Sequence, residues 1–178
     1  MGEAKIKETI PLPIAIGIVV VLSLLIPVIT GVSNFPLWAC FIVWAEYFAL
    51  GAKPDAIPFI IIPYSIGGAI TWFSALTWEF LASLGLDVTL ASAISLFVWM
   101  SLVGYLSVTV PICQKGSLPL FNGVSMYLAI YSTASVPEAL LTMVGLATAA
   151  FAITVATVLV GVFFGWINVV ITFPKEVE

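Results

Sequence analysis

Histidine and arginine are absent from the 178-residue sequence, and cysteine occurs only twice. Without histidine there is no imidazole to ligate zinc or to serve as the base of a Ser-His or Cys-His pair. Cys40 lies in an apolar run and Cys113 in a polar stretch assigned below to the opposite membrane face, so they form neither a CxxC nor an expected disulfide. No glycine-rich phosphate loop follows a strand. Catalysis, a metal and a cofactor are therefore not expected. Charge is equally scarce: five lysines and nine acids make up 8% of the chain, and no basic patch offers itself to nucleic acid.

What is present is apolar. Hydrophobic residues make up 62% of the chain, too many to sit beneath the polar surface of a water-soluble globule, and a lipid bilayer is the solvent that fits. The fold class expected is an all-α polytopic membrane protein, a single membrane domain over residues 1–178 with about six transmembrane helices. The apolar run that follows Met1 to Glu8 ends at Gly31 without a small-x-small cleavage site and reads as a retained helix.

Six runs are read along the chain. The first spans residues 11–31, and the second spans 35–51 after a break at Ser33 and Asn34. The third, 56–86, exceeds one perpendicular crossing and must tilt, kink or project, with Pro58, Pro63 and the pair Gly67 and Gly68 as kink sites. Asp87 is placed as N-cap of the fourth, 88–110, which Pro111 and a polar stretch close. The fifth is short, 118–134. Pro137 and Glu138 open a sixth that reaches Phe173 and is again overlong.

Counting crossings from an internal N-terminus puts Lys5, Lys7, Lys53, Lys115 and Lys175 on one side, while the alternate connections carry no lysine. That is the positive-inside pattern, with both termini cytoplasmic. Re-entrant second and fifth runs would put Lys53 and Lys115 outside, so full crossings fit better.

The two short runs resemble each other. Phe35-Pro-Leu-Trp38 matches Leu118-Pro-Leu-Phe121, and with the same displacement of 83 positions Trp44 matches Tyr127 and Phe48 matches Tyr131. Each short run follows an ordinary one and precedes an overlong one. The chain thus reads as a 3+3 inverted repeat, residues 11–86 and 88–173, because three crossings per unit turn the second copy over. Transporters and channels use such halves to build a site between them.

Glu46 stands out, since a carboxylate inside a span costs several kcal/mol unless it is paired, hydrated or protonated. At 100° per residue it shares an arc with Ala39, Val43, Ala49 and Leu50. Asn122, near the start of the fifth run, is expected at a similar depth, with Ser125, Ala129 and Ser132 continuing its face. Glu46, Asn122, Ser125, Trp44 and Tyr127 are the candidate solute-binding residues. A structural hydrogen bond for Glu46, and helix packing for the serines, are the competing readings. Gly161 and Gly165 form a GxxxG that suits packing, and Trp78 with Glu79 marks the outer interface.

Trp38-Ala-Cys-Phe41 through Tyr47-Phe-Ala-Leu-Gly51, followed by Gly67-Gly-Ala-Ile-Thr-Trp72, resembles the small prokaryotic membrane proteins grouped as domain of unknown function 1097, with weaker echoes at Phe121, Gly123, Gly161 and Gly165. The resemblance implies a prokaryotic cytoplasmic membrane and no established activity. Glu46 falls outside the matching pattern. The function expected from the residues is a channel or secondary transporter for a small solute, in a homo-oligomer. The alternative is a non-transporting subunit that packs through its glycine and aromatic faces.

Overall fold

The computed structural model describes residues 8–30 and 34–173, and every regular element among them is helical. Lys5, Lys7, Lys175 and Ser33, on which the topology reading partly rests, lie outside the described residues.

The first apolar run is two helices, α1 (Leu12–Ser23) and α2 (Leu25–Thr30). The break falls where it must: Pro27 has no N–H to give the Ser23 carbonyl, and its ring crowds that carbonyl. The second run is α3 (Leu37–Ala49), and the third is one unbroken helix, α4 (Ile57–Ser83), with Pro63 inside it. α5 (Val88–Thr109) begins as read, Asp87 Oδ1 accepting the N–H groups of Thr89 and Leu90 at 3.0 and 3.1 Å. The stretch read as a polar loop after Pro111 is instead a short helix, α6 (Pro111–Lys115), leading into α7 (Ser117–Ser132).

α8 (Glu138–Thr172) contains the break that its length called for, because Gly145 has φ +75° and ψ 165°. No L side chain adopts that conformation without strain. The piece before the break is largely exposed, and residues 146–172 carry the buried face.

Four segments are long and apolar enough to cross a bilayer: Leu12–Ile29, Pro54–Ser83, Val88–Thr109 and Glu138–Thr172. α3 and α7, expected as full crossings, are 13 and 16 residues long. At 1.5 Å per residue they reach about 20 and 24 Å, short of a hydrocarbon core of about 30 Å.

α4 and α8 form the centre and run antiparallel. Tyr64 meets Thr157 at 3.3 Å, Gly68 abuts Thr154, and Trp72 stacks on Phe151 with centroids 5.2 Å apart. Each long helix then takes a short one as a parallel neighbour. Gly67 of α4 lies against Leu120 of α7 and Gly123 of α7 against Tyr64, while Gly161 and Gly165 of α8 lie against Cys40 and Tyr47 of α3. A Cβ at Gly67 or Gly123 would overlap a backbone carbonyl oxygen of the neighbour. Gly67 and Gly68 are therefore contact points rather than kinks, and the GxxxG of α8 packs within the chain. In lipid, such backbone approach is what holds helices together.

α5 flanks α4 antiparallel through Ser74 and Ser95 (2.9 Å) and through Trp99 Nε1, which donates to Thr77 at 3.0 Å. α1 flanks α8, and the Thr9 N–H donates to the Thr172 carbonyl at 2.9 Å. Cys40 and Cys113 are both free.

α3 and α7 end alike. Leu50, Gly51 and Ala52 donate to Glu46, Phe48 and Tyr47; Thr133, Ala134 and Ser135 donate to Ala129, Tyr131 and Ile130. The six bonds are two copies of one cap displaced by 83 positions, and Gly51 and Ala134, equivalent under that displacement, both have positive φ.

Candidate functional site

α3 and α7 lie antiparallel beside the α4–α8 centre, and the seam between them holds the pair that the sequence singles out. Asn122 Nδ2 donates to Glu46 Oε1. Glu46 is 2% exposed, and its Oε2 is buried without a hydrogen-bond partner among the described residues. An orphaned oxygen on a buried carboxylate is costly, so it marks a place where water, a proton or a ligand belongs.

The seam is seen in the Glu46–Asn122 bond and in the packing of Met126 with Ala39 and Val43, which belong to two stripes at helical spacing: Ala39, Val43, Glu46 and Leu50 on α3, and Asn122, Met126, Ala129 and Thr133 on α7. Each residue of the first stands 83 positions before its counterpart in the second. Under that displacement Glu46–Asn122 corresponds to Ala129–Ala39, so the polar pair lies on one side only. Ala39, Val43 and Met126 belong to the same buried apolar cluster as Tyr64 and Val158.

A cleft opens at each end of the seam. At the start of α3 and the end of α7, a cleft of about 300 Å³ is bordered by Asn34, Phe35, Pro36, Trp38, Thr133, Ala134 and Ser135. At the other end, about 210 Å³ is bordered by Leu50, Asp55, Ala56, Phe59 and Lys115. Lys115 Nζ stands 5.1 Å over the Phe59 ring. Leu50 is one turn beyond Glu46, which places the carboxylate nearer this second cleft.

The other candidate residues lie elsewhere. Ser125 is exposed on the outer side of α7 and donates to the Phe121 carbonyl at 3.1 Å. Trp44 packs edge-on against Phe164 of α8, centroids 6.2 Å apart. Tyr127 is fully buried, stacks on Tyr131 and donates to the Ala147 carbonyl at 3.1 Å, just past the α8 break. Both rings bury against neighbouring helices on the flanks of the seam, and Trp44 Nε1 has no hydrogen-bond partner among the described residues. Tyr131 donates to the exposed Glu79 at 2.7 Å beside Trp78.

Sequence reasoning missed Asn168. It is fully buried on α8, its Nδ2 reaches Thr172 at 3.5 Å, and its Oδ1 has no partner. Its signal was plain, an amide inside an apolar run one turn after Gly165.

Fold and site together define a class: a protein helical throughout its described elements, with four apolar segments long enough to cross a membrane and a buried carboxylate–amide pair between two shorter helices. The chain belongs to the family described as Protein of unknown function (DUF1097), whose family model matches residues 14–172. The likeness first read at residues 38–51 and 67–72 therefore extends over most of the chain. No curated protein and no solved structure matches it.

Proposed function

We propose that the protein is a channel or secondary transporter for a small solute, with its path along the α3–α7 seam between two inverted halves. The observation that carries this reading is Glu46: a buried carboxylate with one free oxygen, on a seam with a cleft at either end. A purely structural hydrogen bond to Asn122 would use a neutral acceptor at lower desolvation cost.

Six crossings are supported by direction. α4 is antiparallel to α5 and α8 and parallel to α7, and α8 is parallel to α3, as alternate crossings require. The inverted repeat is supported by reciprocal packing, each long helix seated on the short helix of the other half, and by the duplicated cap. A common side for both ends is supported by the Thr9–Thr172 bond, and a cytoplasmic side by Lys53 and Lys115 at that end, which fit the positive-inside rule. The membrane is then a prokaryotic cytoplasmic one. In this reading the chain is not an enzyme, and copies associate as a homo-oligomer.

Flux into liposomes across urea, amides, short-chain acids and monovalent cations tests the proposal. Transport above empty liposomes for one class is expected, and none for any class would overturn it. The second reading, a non-transporting subunit, draws on Trp38 and Phe121, large rings exposed on the outer side of α3 and α7. It requires a stoichiometric partner on purification in mild detergent.

A further inference from the structure

We infer that the solute is a small monovalent cation, drawn to the α3–α7 seam by outer carboxylates and held at Glu46 Oε2. The inference rests on the transport reading above and adds the substrate class.

Acids alone occupy one end among the described residues, whereas the other end carries both lysines and acids, Asp55 and Glu8 lying there with Lys53 and Lys115. Glu79, Asp87 and Glu138 lie at or near the ends of α4, α5 and α8 on the side of the larger cleft, and that side has no basic residue among the described residues. Lys53 and Lys115, the two described lysines, both lie at the opposite end. Such an arrangement concentrates cations at the outer mouth and repels anions, most strongly at low ionic strength. Glu79 is tied to the neighbourhood of that mouth through Tyr131, two residues before Thr133.

Inside, α3, α4, α7 and α8 contain no lysine, arginine or histidine, so these four helices offer Glu46 no counter-charge. Asn122 donates to one oxygen and leaves the other open. A carboxylate oxygen and an amide are ordinary ligands for a dehydrated alkali or ammonium ion. An anion would meet the buried carboxylate with nothing to offset the repulsion. A neutral solute with N–H groups can hydrogen-bond the open oxygen but does not offset the charge that is costly to bury, as a cation does.

The test uses the full chain in liposomes, with potassium, ammonium, chloride, acetate and urea as probes, for the native protein and Glu46→Gln. The glutamine keeps an acceptor for Asn122 and removes only the charge. The expected result is cation flux at least about ten-fold above that of the anions and urea, falling about ten-fold or more in Glu46→Gln. Urea, acetate or chloride moving as fast as the cations would overturn the inference while leaving transport intact; no flux of any probe would overturn both. A second measurement needs no variant. In detergent at constant ionic strength, replacing N-methylglucamine by potassium or ammonium should raise the melting temperature saturably by about 2–5 °C. An unchanged melting temperature with both ions would count against a cation site at Glu46.

Discussion

Asn122 donates to Glu46 across 76 positions of sequence and satisfies one of the two oxygens of a carboxylate that is otherwise sealed from solvent. Removing the donor leaves both oxygens unpaired. Asn122→Ala should cost about 1–3 kcal/mol, read as a lower unfolding midpoint in detergent. Adding Glu46→Ala should restore part of that loss, because the group left stranded is then gone. Strictly additive losses would mean the two side chains do not interact.

Gly67 and Gly104 provide a matched contrast. Gly67→Ala drives a methyl into the Leu120 carbonyl of α7, whereas nothing stands within 4 Å of a Cβ at Gly104. The first should destabilise by about 1–3 kcal/mol or more, and the second should be neutral or stabilising by up to about 1 kcal/mol. Parallel thermal melts decide. Equal midpoints would contradict the close approach of α4 and α7.

Gly145 interrupts α8 at positive φ with open space around it. Strain alone should then make Gly145→Ala cost about 1–3 kcal/mol. Tyr127→Phe, which removes the bond to the Ala147 carbonyl, should cost about 1 kcal/mol. Melts that leave Gly145→Ala unchanged would show that α8 is continuous.

The direction of each crossing predicts a labelling pattern. In oriented vesicles, Lys53→Cys and Glu138→Cys should react with an impermeant thiol reagent from opposite sides, the two buried native cysteines staying silent. Reaction of both from one side would contradict the proposal of six crossings.

Some of this was legible in the sequence for physical reasons. A lone carboxylate in an apolar run has to find a polar partner, and the match between residues 35–51 and 118–134 puts Asn122 at a similar depth. Asp87 was readable because capping is local chemistry. The Gly145 break was implied by excess length but not located, since a glycine in Val-Gly-Leu looks the same in a helix as at its interruption. Gly67 and Gly68 suggested a kink, and only the approach of α7 gave them their role. Trp44 and Tyr127 match under the displacement of 83 positions and are candidates on sequence. Repeat-equivalent positions share a depth, though, and rings on the flank of a helix pack against whichever neighbour is there. α3 falls short of its run because Pro36 and the cap at Leu50–Ala52 trim both ends, whereas α7 starts one residue before its run and is trimmed only by the matching cap at its end.

The central claim, a path along the α3–α7 seam, is tested most directly by blocking its outer mouth. Thr133 borders the larger cleft, and Thr89 is exposed at the same end of the molecule but on α5, away from the seam. Liposome flux should be measured for Thr133→Cys and Thr89→Cys before and after modification with a bulky water-soluble thiol reagent. The account predicts that flux through Thr133→Cys falls by about ten-fold or more on modification while Thr89→Cys is unaffected. Undiminished flux through fully modified Thr133→Cys would place the path elsewhere.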